Sequence, residues 1–183
     1  MGNRLRYAAA AWAFALACAS PSAEVLHSEG GEFAIRNEVD LDVPSEEVFA
    51  GLAALPQWWS ADHSYSGDAD NFSFDLAAGG CFCERWGGAS VEHLRVIYSV
   101  PDREVRLRGG LGPLQGLPVN GLMRWRIVPR GAGATLTWEY RVWGAASNQL
   151  DRIAGPVDQV LGQQLSSLAG YLGEKAGHQV SGR

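Results

Sequence analysis

The chain predicts an α+β domain in which a curved antiparallel sheet of about seven strands wraps around one long C-terminal helix. One or two short helices are expected after the first strand. Three observations carry this. Over residues 149–172, apolar side chains recur three or four apart (Ile153, Val157, Val160, Leu161, Leu165, Leu168 and Leu172), which puts a broad oily stripe on one helical face. Asp151, Asp158, Gln159, Gln163 and Ser166 fall on the other face. Between residue 33 and this helix, short runs instead alternate apolar with polar, the period of a half-buried strand. Turn residues separate those runs at short intervals, as in an antiparallel meander. At ~1.5 Å per residue the helix is more than about 30 Å long, and it alone is long enough to cover the sheet's apolar face.

The first strand sets Phe33, Ile35, Val39, Leu41 and Val43 against Arg36, Glu38, Asp40 and Asp42, with Asn37 the one polar residue on the apolar side. Pro44-Ser45-Glu46-Glu47 opens a helix, with Ser45 expected as N-cap and both acids favoured by the helix dipole. Pro56 ends it, and a polar–aromatic connector over 57–67 carries Trp58, Trp59, Asp62, His63 and Tyr65. Strands follow at 72–76, 81–86, 91–100 and 104–109. Residues 109–121 are the richest in Gly and Pro; Leu111, Leu114 and Leu117 make them either a flap over a cavity or a loop pinned to the core. Two further strands place Val119, Met123, Trp125 and Ile127, then Leu136, Trp138, Tyr140 and Val142, on their apolar faces, joined by a turn at 130–133. Residues 33–174 thus form the folded domain, 24–32 a flexible lead-in and 175–183 a tail.

Residues 1–23 read as a signal peptide. Arg4 and Arg6 precede an unbroken apolar run over 7–17, followed by small residues that offer cleavage near Ala19–Ala23. That run is too short to span a membrane, which takes about 20 residues. The expected location is periplasmic or secreted. The alternative is a lipoprotein, because Ala15-Leu16-Ala17-Cys18 loosely matches a lipobox that would attach lipid at Cys18. Losing Arg4 and Arg6 takes the formal charge from −5 to −7. Apart from Lys175 every basic residue is arginine, and none cluster, so nucleic-acid binding is disfavoured. Arg106, Arg108, Arg124, Arg126 and Arg141 fall on polar strand faces and are expected in cross-strand ion pairs.

Glu84 alternates with Phe82 and Trp86. Facing inward, it is a carboxylate in an apolar cavity whose burial raises its pKa, a candidate general acid or base; facing outward, it is a surface residue. His93 lies one hairpin away and would pair with Glu84 if it faced inward. With Leu94 and Val96 inward, however, strict alternation turns His93 to solvent. His63 sits beside Asp62 in the connector, at the expected cavity mouth. Cys81 and Cys83 point to one face of a strand and are expected as thiols. No zinc spacing, phosphate loop or nucleophile elbow is present, and no metal or cofactor is implied.

The opening strand with Val43-Pro44-Ser45-Glu46-Glu47-Val48-Phe49, the Trp58-Trp59 pair after Pro56, and the terminal amphipathic helix resemble the START-like (SRPBCC) superfamily. Its polyketide cyclase/dehydrase-like and chaperone-ATPase-activator-homologue-like branches are the nearest in character. The segments 79–84, 91–96 and 110–115 resemble an exported bacterial subgroup. The resemblance covers about residues 33–172 and implies a helix-grip fold with a ligand cavity between sheet and helix. A small hydrophobic partner held there would meet Trp59, Tyr65, Phe82, Trp86, Trp125, Trp138, Tyr140, Leu161 and Leu165. The expected function is binding of that molecule. The alternatives are a cyclase/dehydratase-type enzyme using Glu84, with His93 or His63, and a protein-interaction module like the chaperone activators.

Overall fold

A computed structural model of the chain describes residues 22–181, so the expected signal peptide and Cys18 lie outside the described residues, apart from Ser22 and Ala23. Eight strands form one antiparallel sheet: β1 (Ser22–Glu29), β2 (Glu32–Leu41), β3 (Phe72–Phe74), β4 (Cys81–Trp86), β5 (Ala89–Val100), β6 (Glu104–Arg108), β7 (Val119–Arg130) and β8 (Gly133–Gly144). Their order across the sheet is β1-β2-β8-β7-β6-β5-β4-β3. Two helices accompany them, α1 (Ser45–Leu52) and α2 (Ala154–Ser181). The architecture is the expected α+β one, a curved antiparallel sheet with a long C-terminal helix.

The eighth strand comes from residues that read as the end of the signal peptide (Ser22 and Ala23) and the lead-in. β1 pairs with β2 from Ser22↔Glu38 to Glu29↔Glu32, with a bulge at Leu26. It is an edge strand with no buried residue, so it lacks the apolar alternation that marks its neighbours. Helix α2 also departs from its expected bounds. Gln149 takes a left-handed conformation (φ 50°) between two short 3₁₀ turns, which delays the helix to Ala154. At the other end the helix continues through the expected tail to Ser181. Ser45 is the first residue of α1 rather than its cap; Pro44 holds the cap position and the Ser45 hydroxyl is buried without a partner.

The inner face of the sheet is packed with large side chains. Trp125 and Trp138 oppose each other on β7 and β8 and stack at 4.8 Å, and Trp58 meets Trp138 at 5.9 Å. Phe33 on β2 packs edge-on against Tyr140 at 6.1 Å. Leu161, Leu165, Leu168 and Leu172 of α2 are buried against this layer. Asn37, fully buried on β2, donates from Nδ2 to Asp158 of α2 at 2.8 Å and so ties helix to sheet. The outer face is polar as expected. Arg124 reaches Glu104 at 3.4 Å, Arg126 reaches it at 3.9 Å, Arg106 also pairs with it, and Arg141 meets Glu32 at 3.5 Å. The exposed Arg141–Glu32 pair contributes at most about 1 kcal/mol, whereas Glu104, half-buried, is shared by three arginines.

Cys81 and Cys83, expected as thiols, are joined in a disulfide, with Cα atoms 5.3 Å apart. The shared strand face that counted against the bond is what brings the two sulfurs together. Among the described residues no helix is long and apolar enough to cross a membrane.

Candidate functional site

The connector between α1 and β3 is fixed before it reaches His63 and Tyr65. Trp58 and Trp59 are buried, and their indole N–H groups donate to the carbonyls of Gly51 (3.0 Å) and His63 (3.2 Å). Gln164 of α2, also buried, accepts the Ser60 backbone N–H at 2.9 Å. The Ser60 hydroxyl in turn accepts from Asp62 N–H and caps the 3₁₀ turn Ala61–His63. Gln164 is a polar residue inside the apolar stripe, three residues after Leu161 and four before Leu168, and that interruption is the signal the sequence offered for its role.

Glu84 is completely buried, inward on β4. Its Oε1 accepts the Ser66 backbone N–H at 2.6 Å, and its Oε2 accepts that of Tyr65 at 3.0 Å. The same Oε2 lies 3.0 Å from His93 Nε2. A lone buried carboxylate is very costly, and here three donors compensate it. Burial pushes the Glu84 carboxyl up, but hydrogen bonds from Ser66, from the Tyr65 backbone and from His93 outweigh it. The net effect holds the group below its ordinary 4.5. The expected raised pKa is therefore overturned: Glu84 is an ionised acceptor at neutral pH, with no proton to give.

His93 faces inward because β5 carries a bulge. Phe82 pairs with Leu94 and Cys83 with Glu92, leaving His93 as the extra residue between them. A bulge of this kind re-aims a side chain, and here it lets His93 and Leu94 both be buried, against strict alternation. Burial pushes the imidazole down more than the Glu84 hydrogen bond and charge pull it up, so it titrates below its ordinary 6.5. At neutral pH the ring is uncharged. Glu84 only accepts, so the imidazole proton sits on Nε2, and Nδ1 keeps a free lone pair. Nδ1 is buried and has no hydrogen-bond partner among the described residues. The ring lies among Phe82, Phe72 and Tyr65, with centroids 5.1, 5.5 and 5.7 Å away.

The Gly/Pro-rich segment after β6 closes over this corner. The Tyr140 hydroxyl donates to Gly109 O and accepts from Leu111 N–H, both at 2.9 Å. Burial pushes that phenol far up, so it stays protonated. The Tyr65 hydroxyl donates to Gly112 O at 2.9 Å, and the Gln115 amide donates to Glu92 O. Leu114 is buried beneath. The segment lines the cavity as a flap would, and it is held by these hydroxyls and by Leu114, the one buried leucine of the three expected to pin it, Leu117 being exposed.

Flap, connector and the first turns of α2 line a cavity of about 630 Å³ that is open to solvent on one side. Leu111, Leu114 and Leu117 line it from the flap, and Ile153, Val157, Val160 and Leu161 from the region of α2. Trp59, Asp62, His63, Ser64, Tyr65 and His93 also line it. Of the expected ligand-contacting residues, Trp59, Tyr65 and Leu161 are therefore in its walls. Phe82, Trp86, Trp125, Trp138, Tyr140 and Leu165 are not. All of these but Trp86 belong to the packed layer, where stacked and edge-on rings fill the space between sheet and helix that the sequence suggested would be open. The cavity lies beside that layer instead. Its flap and helix walls were within reach of the sequence, since Val157 and Val160 belong to the apolar stripe.

No protein-family model matches the chain, and neither does any curated protein. Solved structures do. A putative uncharacterized protein from Rhizobium leguminosarum aligns at 20% identity with a TM-score of 0.56, over 84% of this chain and 98% of its own. Protein MLL2253 from Mesorhizobium loti gives 17% identity and a TM-score of 0.56, over 77% and 97%. The solution structure of CalU16 from Micromonospora echinospora gives 18% and 0.54, over 87% and 77%. At these identities the likeness is one of fold alone, and it is compatible with the helix-grip arrangement.

Proposed function

We propose that the protein is an exported, START-like helix-grip domain that binds a small, largely apolar molecule in the cavity beneath its flap. The observation that carries this reading is the cavity itself. Its volume of about 630 Å³ falls within the range of small-molecule sites, its walls are mostly aliphatic, and one polar side chain, His93, is buried among them. Export rests on Arg4, Arg6 and the apolar run that follows them. Native mass spectrometry of protein purified from its own host tests the reading. A reproducible co-purifying apolar mass supports it, whereas a cavity found empty in repeated preparations and unable to take up apolar probes sinks it.

A second reading, an acid–base enzyme, is favoured by one observation. An ionised carboxylate holds a neutral imidazole in a fixed tautomer with Nδ1 free, the arrangement of a positioned general base. His93 would then take the substrate proton, with Glu84 as its positioning residue. On this reading His93→Gln lowers turnover of a host metabolite by about 10²-fold or more. Glu84→Gln moves the acid limb of the pH–rate profile, and turnover unaffected by either change removes the enzyme reading.

A further inference from the structure

We infer that the polar end of the ligand is a neutral hydrogen-bond donor, a hydroxyl or N–H, received by His93 Nδ1, and that carboxylate ligands are selected against. This rests on the cavity being a binding site and adds the chemistry of its occupant.

Among the described residues lining the cavity, His93 is the single deeply buried polar side chain, only 3% exposed. Glu84 fixes that ring by accepting at Nε2, so the nitrogen left over accepts and cannot donate. Nδ1 is buried without a partner, and an unsatisfied buried acceptor is costly to leave unmade. A ligand donor removes that cost; a ligand acceptor adds to it.

Charge points the same way. No Lys or Arg is among the described residues lining the cavity, and Asp62 is the only acidic one of them. Behind the imidazole stands the Glu84 carboxylate. An anionic ligand would leave water for apolar walls, meet no cation, and face two carboxylates. A protonated amine can donate to Nδ1 and is attracted by the same carboxylates, but it gives up the hydration of a full charge to mostly aliphatic walls, a cost that a neutral donor does not carry. Of the three rings around His93, only that of Tyr65 lines the cavity, and it is 50% exposed. Its hydroxyl makes one hydrogen bond, to Gly112 O. That is the side from which a ligand group reaches Nδ1, by displacing the Tyr65 ring.

The test uses three probes of one skeleton, naphthol, naphthalene and naphthoate, titrated calorimetrically into the wild-type protein at about pH 7, where naphthoate is ionised. Naphthol is expected to bind about tenfold more tightly than naphthalene, the effect of one satisfied buried acceptor, and naphthoate at least about tenfold more weakly than naphthol. Naphthol and naphthalene binding within about twofold of each other, or naphthoate binding as well as naphthol, overturns the inference and leaves the cavity reading standing. If none of the three binds, the cavity reading falls and this inference with it. In His93→Phe the naphthol-to-naphthalene ratio is expected to fall to near one, and a ratio that stays near tenfold overturns the role given to Nδ1. The wild-type comparison is decisive by itself should the variant fail to fold.

Discussion

Glu84 and His93, nine residues apart in the chain, meet at 3.0 Å across a strand pair whose bulge turns the histidine inward. Both are buried, and both titrate lower in the folded protein than in the open chain. The signs follow from this. On acidification the unfolded chain binds protons first, at His93 below its ordinary 6.5 and at Glu84 below its ordinary 4.5. The stability they contribute is complete above those values and is lost as the pH falls through each folded pKa.

Thermal melts from about pH 8 downward should therefore give a transition temperature that begins to fall below 6.5 and falls further below 4.5. In Glu84→Gln the lower of the two declines should be reduced. A transition temperature that rises on acidification through this window would contradict the arrangement.

Tyr140→Phe removes the one hydroxyl that serves both Gly109 O and Leu111 N–H. With two backbone groups left short of a partner at the flap's base, a loss of about 1–3 kcal/mol is expected. Amide exchange at Leu111 should accelerate more than exchange in β7 or β8. Uniform acceleration throughout the sheet would mean that the hydroxyl does not anchor the flap.

Gly121→Ala probes the same corner sterically. A Cβ at this position would lie 2.0 Å from Gly109 O and 2.8 Å from the Tyr140 hydroxyl oxygen. Backbone must move, so the variant should lose about 1–3 kcal/mol in denaturant unfolding. A neutral result would show that the flap root is looser than described.

The Cys81–Cys83 bond predicts that neither residue reacts with a thiol reagent when the protein is unfolded without reductant. Because the closed loop is very short, its entropic contribution sits at the low end, about 1–2 kcal/mol. Reduction should then lower the transition temperature by only a few degrees, about 2–4 °C per kcal/mol in a chain of this size.

The periodic parts of the fold were legible in the sequence. Leu161, Leu165, Leu168 and Leu172 pointed to the face of α2 that is buried, and Phe33, Ile35, Val39 and Leu41 to that of β2. What escaped was whatever breaks a period or has none. The bulge at His93 shifts the register by one residue, and one residue reverses a strand's faces, so alternation sent the histidine the wrong way. β1 buries nothing and left no apolar trace. The pKa of Glu84 was misjudged because its burial could be weighed from β4, whereas its donors Tyr65 and Ser66 come from the connector. The large inner-face aromatics read equally well as core or as cavity wall, and only packing separates Trp125 and Trp138 from Trp59.

Glu84 anchors two things at once, the imidazole of His93 and the backbone of Tyr65 and Ser66 at the connector. Neither can shift without disturbing the other. Leu117 of the flap and Val160 of the helix, by contrast, face the cavity and are not buried in the core. The molecule thus keeps the group that would recognise a ligand's polar end separate from the walls that set its size. A pocket divided in this way can be resized by trading aliphatic residues while its buried histidine stays in place.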